Sequence, residues 1–242
     1  MKQLKTFLSI SALLAISGCE LLQSTGGLPG LNPLPPTEQE VTLGLKNALE
    51  VGIHNAVKLT SETGGFFNNP LIRIPFPPEA VRMERTLRDI GLGNQVDQFV
   101  RTMNTAAEEA SKRATPIFVN AIRQMTFTDV MNIWRSDSTA ATQFLQRTTS
   151  DALRAEFKPV IKSAIEQVEL TALWNPLASA YNSIPFVTPV NPNLEDFITD
   201  RALQGLFSMI ALEEASIRRD PAARVNDILR RVFGWLDNEK KS

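Results

Sequence analysis

A chain of 242 residues, 43% of them hydrophobic, is long enough to bury one sizeable core. Its 25 basic and 26 acidic residues nearly balance, so no basic excess points to nucleic acid and no acidic run to a solvating tail. A single cysteine, Cys19, excludes an intramolecular disulfide and any cysteine-built zinc or iron–sulfur site.

The chain opens with Lys2 and Lys5, an apolar run from Phe7 to Ile16, and the small residues Ser17 and Gly18 before Cys19. That is the layout of a secretory signal, with the cysteine where a bacterial lipoprotein signal would put it. Residues 1–18 are expected to be cleaved, leaving Cys19 as a mature N-terminus diacylated on sulfur with palmitate-class chains. The apolar run is too short for a membrane span, which needs about 20 residues. Acyl chains contribute roughly 0.8 kcal/mol per buried CH₂, so two or three anchor a protein stably. Glu20 follows the cysteine where Asp would signal inner-membrane retention, so the outer membrane, facing the periplasm, is the expected address. Removing the signal leaves 23 basic and 26 acidic residues, a net charge of about −3.

Residues 19–37 carry Gly26, Gly27, Pro29, Gly30, Pro33, Pro35 and Pro36 with no period, and read as a lipidated tether. Fully extended, it reaches roughly 60 Å. A helical domain is expected over 38–236 and a charged tail over 237–242.

Thr37 and Glu40 have capping-box spacing and start the first helix. Its apolar face is Val41, Leu45, Ala48, Gly52, Ala56 and Leu59, and the row Gly44, Ala48, Gly52, Ala56 invites close approach of another helix. Residues 61–78 are broken by glycines and prolines yet carry Phe66, Phe67, Leu71, Ile72, Ile74 and Phe76, with a short strand admissible near Leu71–Ile74. A second helix runs from about Pro78 to Ile90 and stops at Gly91. From Val96 to Met125 one apolar face persists for eight turns, so one helix with a kink or a 3₁₀ step at Ala114–Pro116 is predicted. Its alanine-rich middle suits the Gly44–Ala56 row.

Thr126 and Asp129 start a short helix through Trp134, Ser138–Thr148 form another, and Ser150 caps a longer one containing Pro159. A short helix over 171–182 precedes a second proline-broken apolar loop, 182–192. Leu194–Arg219 is apolar nearly all round between Leu203 and Leu212, the mark of a central buried helix. The last helix is expected to begin at Asp220–Pro221 and to bury Val225, Ile228, Leu229, Val232, Phe233 and Leu236. The expected fold is therefore all-α, a single bundle of about seven to nine helices around residues 194–219.

Several pieces together are similar to one bacterial family: Leu43-Gly44-Leu45-Lys46, Pro116-Ile117-Phe118, Met125-Thr126, Ala140-Ala141-Thr142, Asp200 through Phe207, Glu213-Glu214, Pro221 through Arg224, and Val232-Phe233-Gly234. The family is that catalogued as domain of unknown function 4197. The likeness covers about residues 41–234. It implies an exported, mostly helical domain and assigns no site.

His54 is the only histidine and falls beside Lys46, Glu50 and Lys58, opposite the apolar face, as a solvated residue would. A Ser-His-Asp hydrolase would have to use it, and no Gly-x-Ser-x-Gly elbow is present. Glu108-Glu109 read as a solvated helix face. Glu213-Glu214 close the most apolar helix, where acids oppose the negative helix end, and Arg218 is placed to pair with Glu214. Arg201 falls on the apolar side of the same helix and calls for a carboxylate such as Asp200 or Asp196. Asp196, Asp200, Gln204 and Ser208 repeat every four residues as a polar stripe. A structural network fixing helix register and a polar binding pocket both fit that stripe.

No catalytic residue, metal or cofactor is implied. The sequence is expected to specify a membrane-tethered module that binds a hydrophobic ligand or an envelope protein. An enzyme using carboxylates and arginine with or without a metal, and an envelope scaffold, are the alternatives. The two proline-broken loops, 64–78 and 182–192, either cap the core or form a binding lip.

Overall fold

The computed structural model describes residues 34–136, 139–166, 169–183, 185–186, 189–191 and 193–239. The expected signal peptide, Cys19, most of the expected tether and the last residues, 240–242, lie outside them. One compact unit extends from Pro36 onward. The described residues form nine α-helices and no strand. They are α1 (Glu38–Ser61), α2 (Val81–Asp89), α3 (Gly93–Ser111), α4 (Ala114–Gln124), α5 (Phe127–Arg135), α6 (Ala140–Ile165), α7 (Glu169–Asn182), α8 (Leu194–Arg219) and α9 (Asp227–Glu239). Short 3₁₀ turns at Pro78–Ala80 and Pro221–Ala223 precede α2 and α9.

The all-α expectation holds, and α8 has the predicted bounds. It packs most extensively on α6 and α1 and also meets α3, burying Ile198, Ala202, Leu203, Leu206, Phe207, Met209, Ile210 and Ile217. The exception is Leu212, which stays half exposed. Asn193 caps α8 by accepting the Asp196 N–H at 3.1 Å.

The start of α1 is set by a capping box. Thr37 Oγ1 accepts the Glu40 N–H, and Glu40 Oε2 accepts the Thr37 N–H at 2.7 Å. The same Glu40 also holds Arg231 of α9, with Oε1 at 2.7 Å from Nε. At its two glycines the small-residue row of α1 receives α9 and α8, and α1 also packs on α3. A Cβ at Gly44 would lie 2.7 Å from Val232 Cγ2, and one at Gly52 would lie 3.4 Å from Glu213 Cβ. Only a residue without a side chain admits Val232 so close.

Several predicted boundaries are corrected. The long helix over 96–125 is two helices separated by a turn at Lys112–Arg113. Pro116 has no N–H and its ring would clash with the carbonyl four residues back, so it is accommodated in the first turn of α4. Ser150 does not cap a helix but lies inside α6, its hydroxyl donating to the Gln146 carbonyl. Pro159 is tolerated in α6 because it lies on the exposed side, where the unpaired carbonyl meets water. The segment Leu71–Ile74 is not a strand. The helix predicted from Asp220 begins at Asp227, and Asp237–Glu239 belong to it instead of to a tail. Asp220 caps the 3₁₀ turn, and Val225 is exposed.

The first proline-broken loop covers the core, while of the second Val190 is buried and Phe186 is exposed. Phe66, Ile72, Ile74 and Phe76 of the first are buried; Ile184 and Val187 lie outside the described residues. The loops meet through Trp174 of α7. Its ring stands 5.7 Å from Phe76 and 5.7 Å from Phe99, and its Nε1–H donates to the Asn191 carbonyl at 3.1 Å.

Candidate functional site

The polar residues singled out on α8 do not converge on one site. Asp196 and Asp200 pair across to α6, with Lys158 Nζ at 2.8 Å and Arg154 Nη1 at 2.5 Å. The Asp196 carboxylate, through its hydrogen bond, raises the Lys158 ammonium above its usual pKa. Asp200, Gln204 and Ser208 also edge a shallow groove of about 490 Å³ between α6 and α8. Arg201 therefore lacks the expected Asp200 partner. Its guanidinium stands 5.5 Å from the Phe197 ring and donates weakly to Gln204 Oε1 at 3.4 Å.

Glu213 and Glu214 point in different directions. Glu213 Oε2 accepts the Asn55 amide of α1 at 2.9 Å. Glu214 is buried and accepts the Ala141 and Thr142 N–H groups at 3.0 and 2.8 Å, the Thr142 hydroxyl, and Arg218 Nε at 3.1 Å. The N-cap residue of α6, Thr139, gives that helix no side-chain cap, so a carboxylate from α8 supplies it. Arg218 in turn donates to the carbonyls of Ile133, Trp134 and Ser136 at the end of α5. One ion pair thus answers the positive end of α6 and the negative end of α5.

Sequence reasoning missed a second polar set. Glu108, read as solvated, is buried, and its Oε1 accepts the N–H groups of Phe66 and Phe67 at 3.1 and 3.3 Å. Its neighbour Glu109 is the exposed one, paired with Lys112. Asn104, one turn before Glu108, accepts the Ile74 N–H at 2.9 Å and donates to the Ile74 and Val100 carbonyls. A loop without secondary structure has unpaired backbone groups, and burying them requires such partners. Asn104 and Glu108 supply them. Arg224, also unflagged, is buried and closes the C-terminus of α8 through the Ile217 and Arg218 carbonyls, with Asp237 at 2.6 Å.

This clamped first loop forms one wall of a cleft of about 530 Å³, with α2 and α3 as the others. Phe76 and Val100, both buried, form the floor, and Pro75, Pro78 and Val81 form an apolar rim. Two guanidiniums flank it on one aromatic ring: Arg73 lies 4.4 Å and Arg101 4.7 Å from the Phe67 centroid. Among the described residues neither has a carboxylate within ion-pair distance. Arg88, on the opposite side, is committed: it bridges Glu84 of α2 and Asp97 of α3 at 2.9 Å each. Those hydrogen bonds, Glu84 first, raise its pKa further. The 71–75 segment separates this cleft from a smaller one of about 140 Å³ lined by Arg73, Arg201 and Gln204.

Among the described residues, no group of three or more His, Cys, Asp or Glu side chains is placed to hold a metal ion. No helix among them is long and apolar enough to cross a membrane. Fold and site together define an all-helical domain with a loop-walled, arginine-flanked surface cleft. The chain belongs to the family described as protein of unknown function (DUF4197), whose model matches residues 35–234. Comparison with curated proteins and with solved structures gives no match.

Proposed function

We propose that the chain is a binding module held at the outer membrane, facing the periplasm, by acylation of Cys19, and that its ligand is an amphiphile seated in the cleft between the 66–78 loop, α2 and α3. One observation carries this reading: the cleft of about 530 Å³ has an apolar floor of Phe76 and Val100 under an apolar rim. Its volume lies in the roughly 300–1,000 Å³ range of ligand sites, and its lining is mixed, with Arg73, Glu84, Arg88, Asp97 and Arg101 beside the apolar floor and rim, as suits an amphiphile. The wall is rigid because Asn104 and Glu108 satisfy its backbone, so the site is formed before a ligand arrives. The carboxylate-and-arginine enzyme considered from sequence gains no support, since Asp200, Arg201, Glu213 and Glu214 face separate neighbours.

The full chain, purified from native membranes and analysed by native mass spectrometry, is expected to carry an amphiphile. Val81→Trp, at the exposed rim, is expected to remove it without unfolding the domain. Recovery of the wild type without any bound lipid, or equal loading of the variant, would sink the reading. Replacing Cys19 with Ser is expected to abolish acyl labelling; persistent labelling would place the anchor elsewhere.

A further inference from the structure

We infer that the ligand of this cleft is headed by a phosphate group, and that Arg73 and Arg101 are the residues that bind it. The inference rests on the cleft being a ligand site, and adds the chemistry of the head.

Several cations of the described domain are answered by acids, among them Arg88 in the same cleft. Arg88, Arg154, Lys158, Arg218, Arg224, Arg230 and Arg231 each have a carboxylate within ion-pair distance. Arg73 and Arg101 come from different elements, the first loop and α3, yet both are brought to one ring and left without an acid. Stacking on Phe67 orients a guanidinium and engages its face. Its N–H donors lie in the plane and stay available. Two forks held this way match a phosphate, whose several oxygens accept from both, better than a carboxylate, whose two oxygens suit one fork.

The acids nearby do not cancel this. Glu84 and Asp97 line the same cleft, but Arg88 stands between them and donates a hydrogen bond to each carboxylate. Arg201 adds a third cation beyond the 71–75 segment, where it shares the smaller cleft with Arg73. The apolar floor and rim lie directly beside the two forks, so one molecule can reach both with a phosphate at one end and an acyl chain at the other. Phospholipid and free phosphate share the head chemistry, and the apolar floor favours the lipid.

The test is isothermal titration of the full chain in a non-ionic sugar detergent. The probes are a single-chain phosphatidylglycerol, a neutral monoacylglycerol of the same chain length, and inorganic phosphate. The phospholipid is expected to bind roughly tenfold or more tighter than the neutral lipid, the effect of one or more charge-assisted hydrogen bonds. Arg73→Gln and Arg101→Gln, both at exposed positions, are expected to erase that preference while leaving the neutral lipid's affinity unchanged. Equal affinity of the two lipids in the wild type, or a preference that survives both substitutions, would overturn the inference and leave the cleft reading standing. Binding of neither lipid would remove the cleft reading itself. Inorganic phosphate bound as tightly as the phospholipid, and lost with the same two substitutions, would keep the anion site and overturn the lipid.

Discussion

Glu214 and Arg218, one turn apart on α8, hold each other at 3.1 Å with only 5% and 10% of their side chains exposed. Their importance lies in what they reach. Each oxygen of Glu214 meets the open start of α6, and Arg218 meets the end of α5.

Removing Glu214 leaves a buried guanidinium without its counter-charge and two N–H groups of α6 unanswered. Glu214→Ala is expected to destabilise the domain by about 3 kcal/mol or more. Urea unfolding should show a lower midpoint with little change in slope. The double variant with Arg218→Met is expected to lose less than the two single losses added together.

Glycines at two helix positions should respond in opposite ways. A Cβ on Gly205 would lie 2.7 Å from Phe66 Cε1 and 3.2 Å from Ile72 Cβ, so Gly205→Ala pushes the first loop off α8. The expected cost is about 1–3 kcal/mol of overpacking. At Gly234 the nearest atom is Arg224 Nη1 at 4.0 Å, and Gly234→Ala is expected to stabilise α9 by about 0.5–1 kcal/mol. Thermal melts that move both variants the same way would contradict this packing.

Asn104→Ala would leave the N–H and C=O of Ile74 buried and unpaired, at about 1–3 kcal/mol for each group. The loop should loosen before the helices do. Limited trypsin digestion is expected to cut after Arg73 faster in the variant, while the far-ultraviolet helix signal is retained.

The acid side of stability should carry the mark of Glu40. The hydrogen bond from Arg231, and then that from the Thr37 N–H, hold its carboxyl at about 2, against an ordinary 4.5. A depressed pKa stabilises the folded state above 4.5 and loses that contribution as the pH falls toward 2. Asp129, lowered chiefly by the Thr126 hydroxyl in the α5 cap, acts in the same direction. Arg231→Gln is expected to be less stable than wild type at pH 6, with the two unfolding midpoints drawing together near pH 2. The difference should be modest, because the pair is partly exposed.

Helices and caps were legible in the sequence because both are local. Thr37–Glu40, Thr126–Asp129 and the all-round apolar stretch of α8 behave as their spacing predicts. Asn104 and Glu108 were not legible as buried, since their partners are backbone groups some 30 to 42 residues away. One signal was present: they continue the row from Val100 at four-residue steps, beside an apolar face. The cleft was equally hidden. Phe67, Arg73 and Arg101 are ordinary loop and surface residues until the first loop folds back onto α3. The α8 stripe was visible, but a four-residue repeat of polar groups does not say whether its partner is a ligand or, as for Asp196 and Asp200, a neighbouring helix.

The double grip of Glu40 has a mechanical consequence. Thr37 marks the start of the first helix, and the residue that caps it is bolted to the last helix through Arg231. A pull arriving along the preceding residues meets α9 at once, through Arg231 on Glu40 and Val232 against Gly44. Load is shared between α1 and α9.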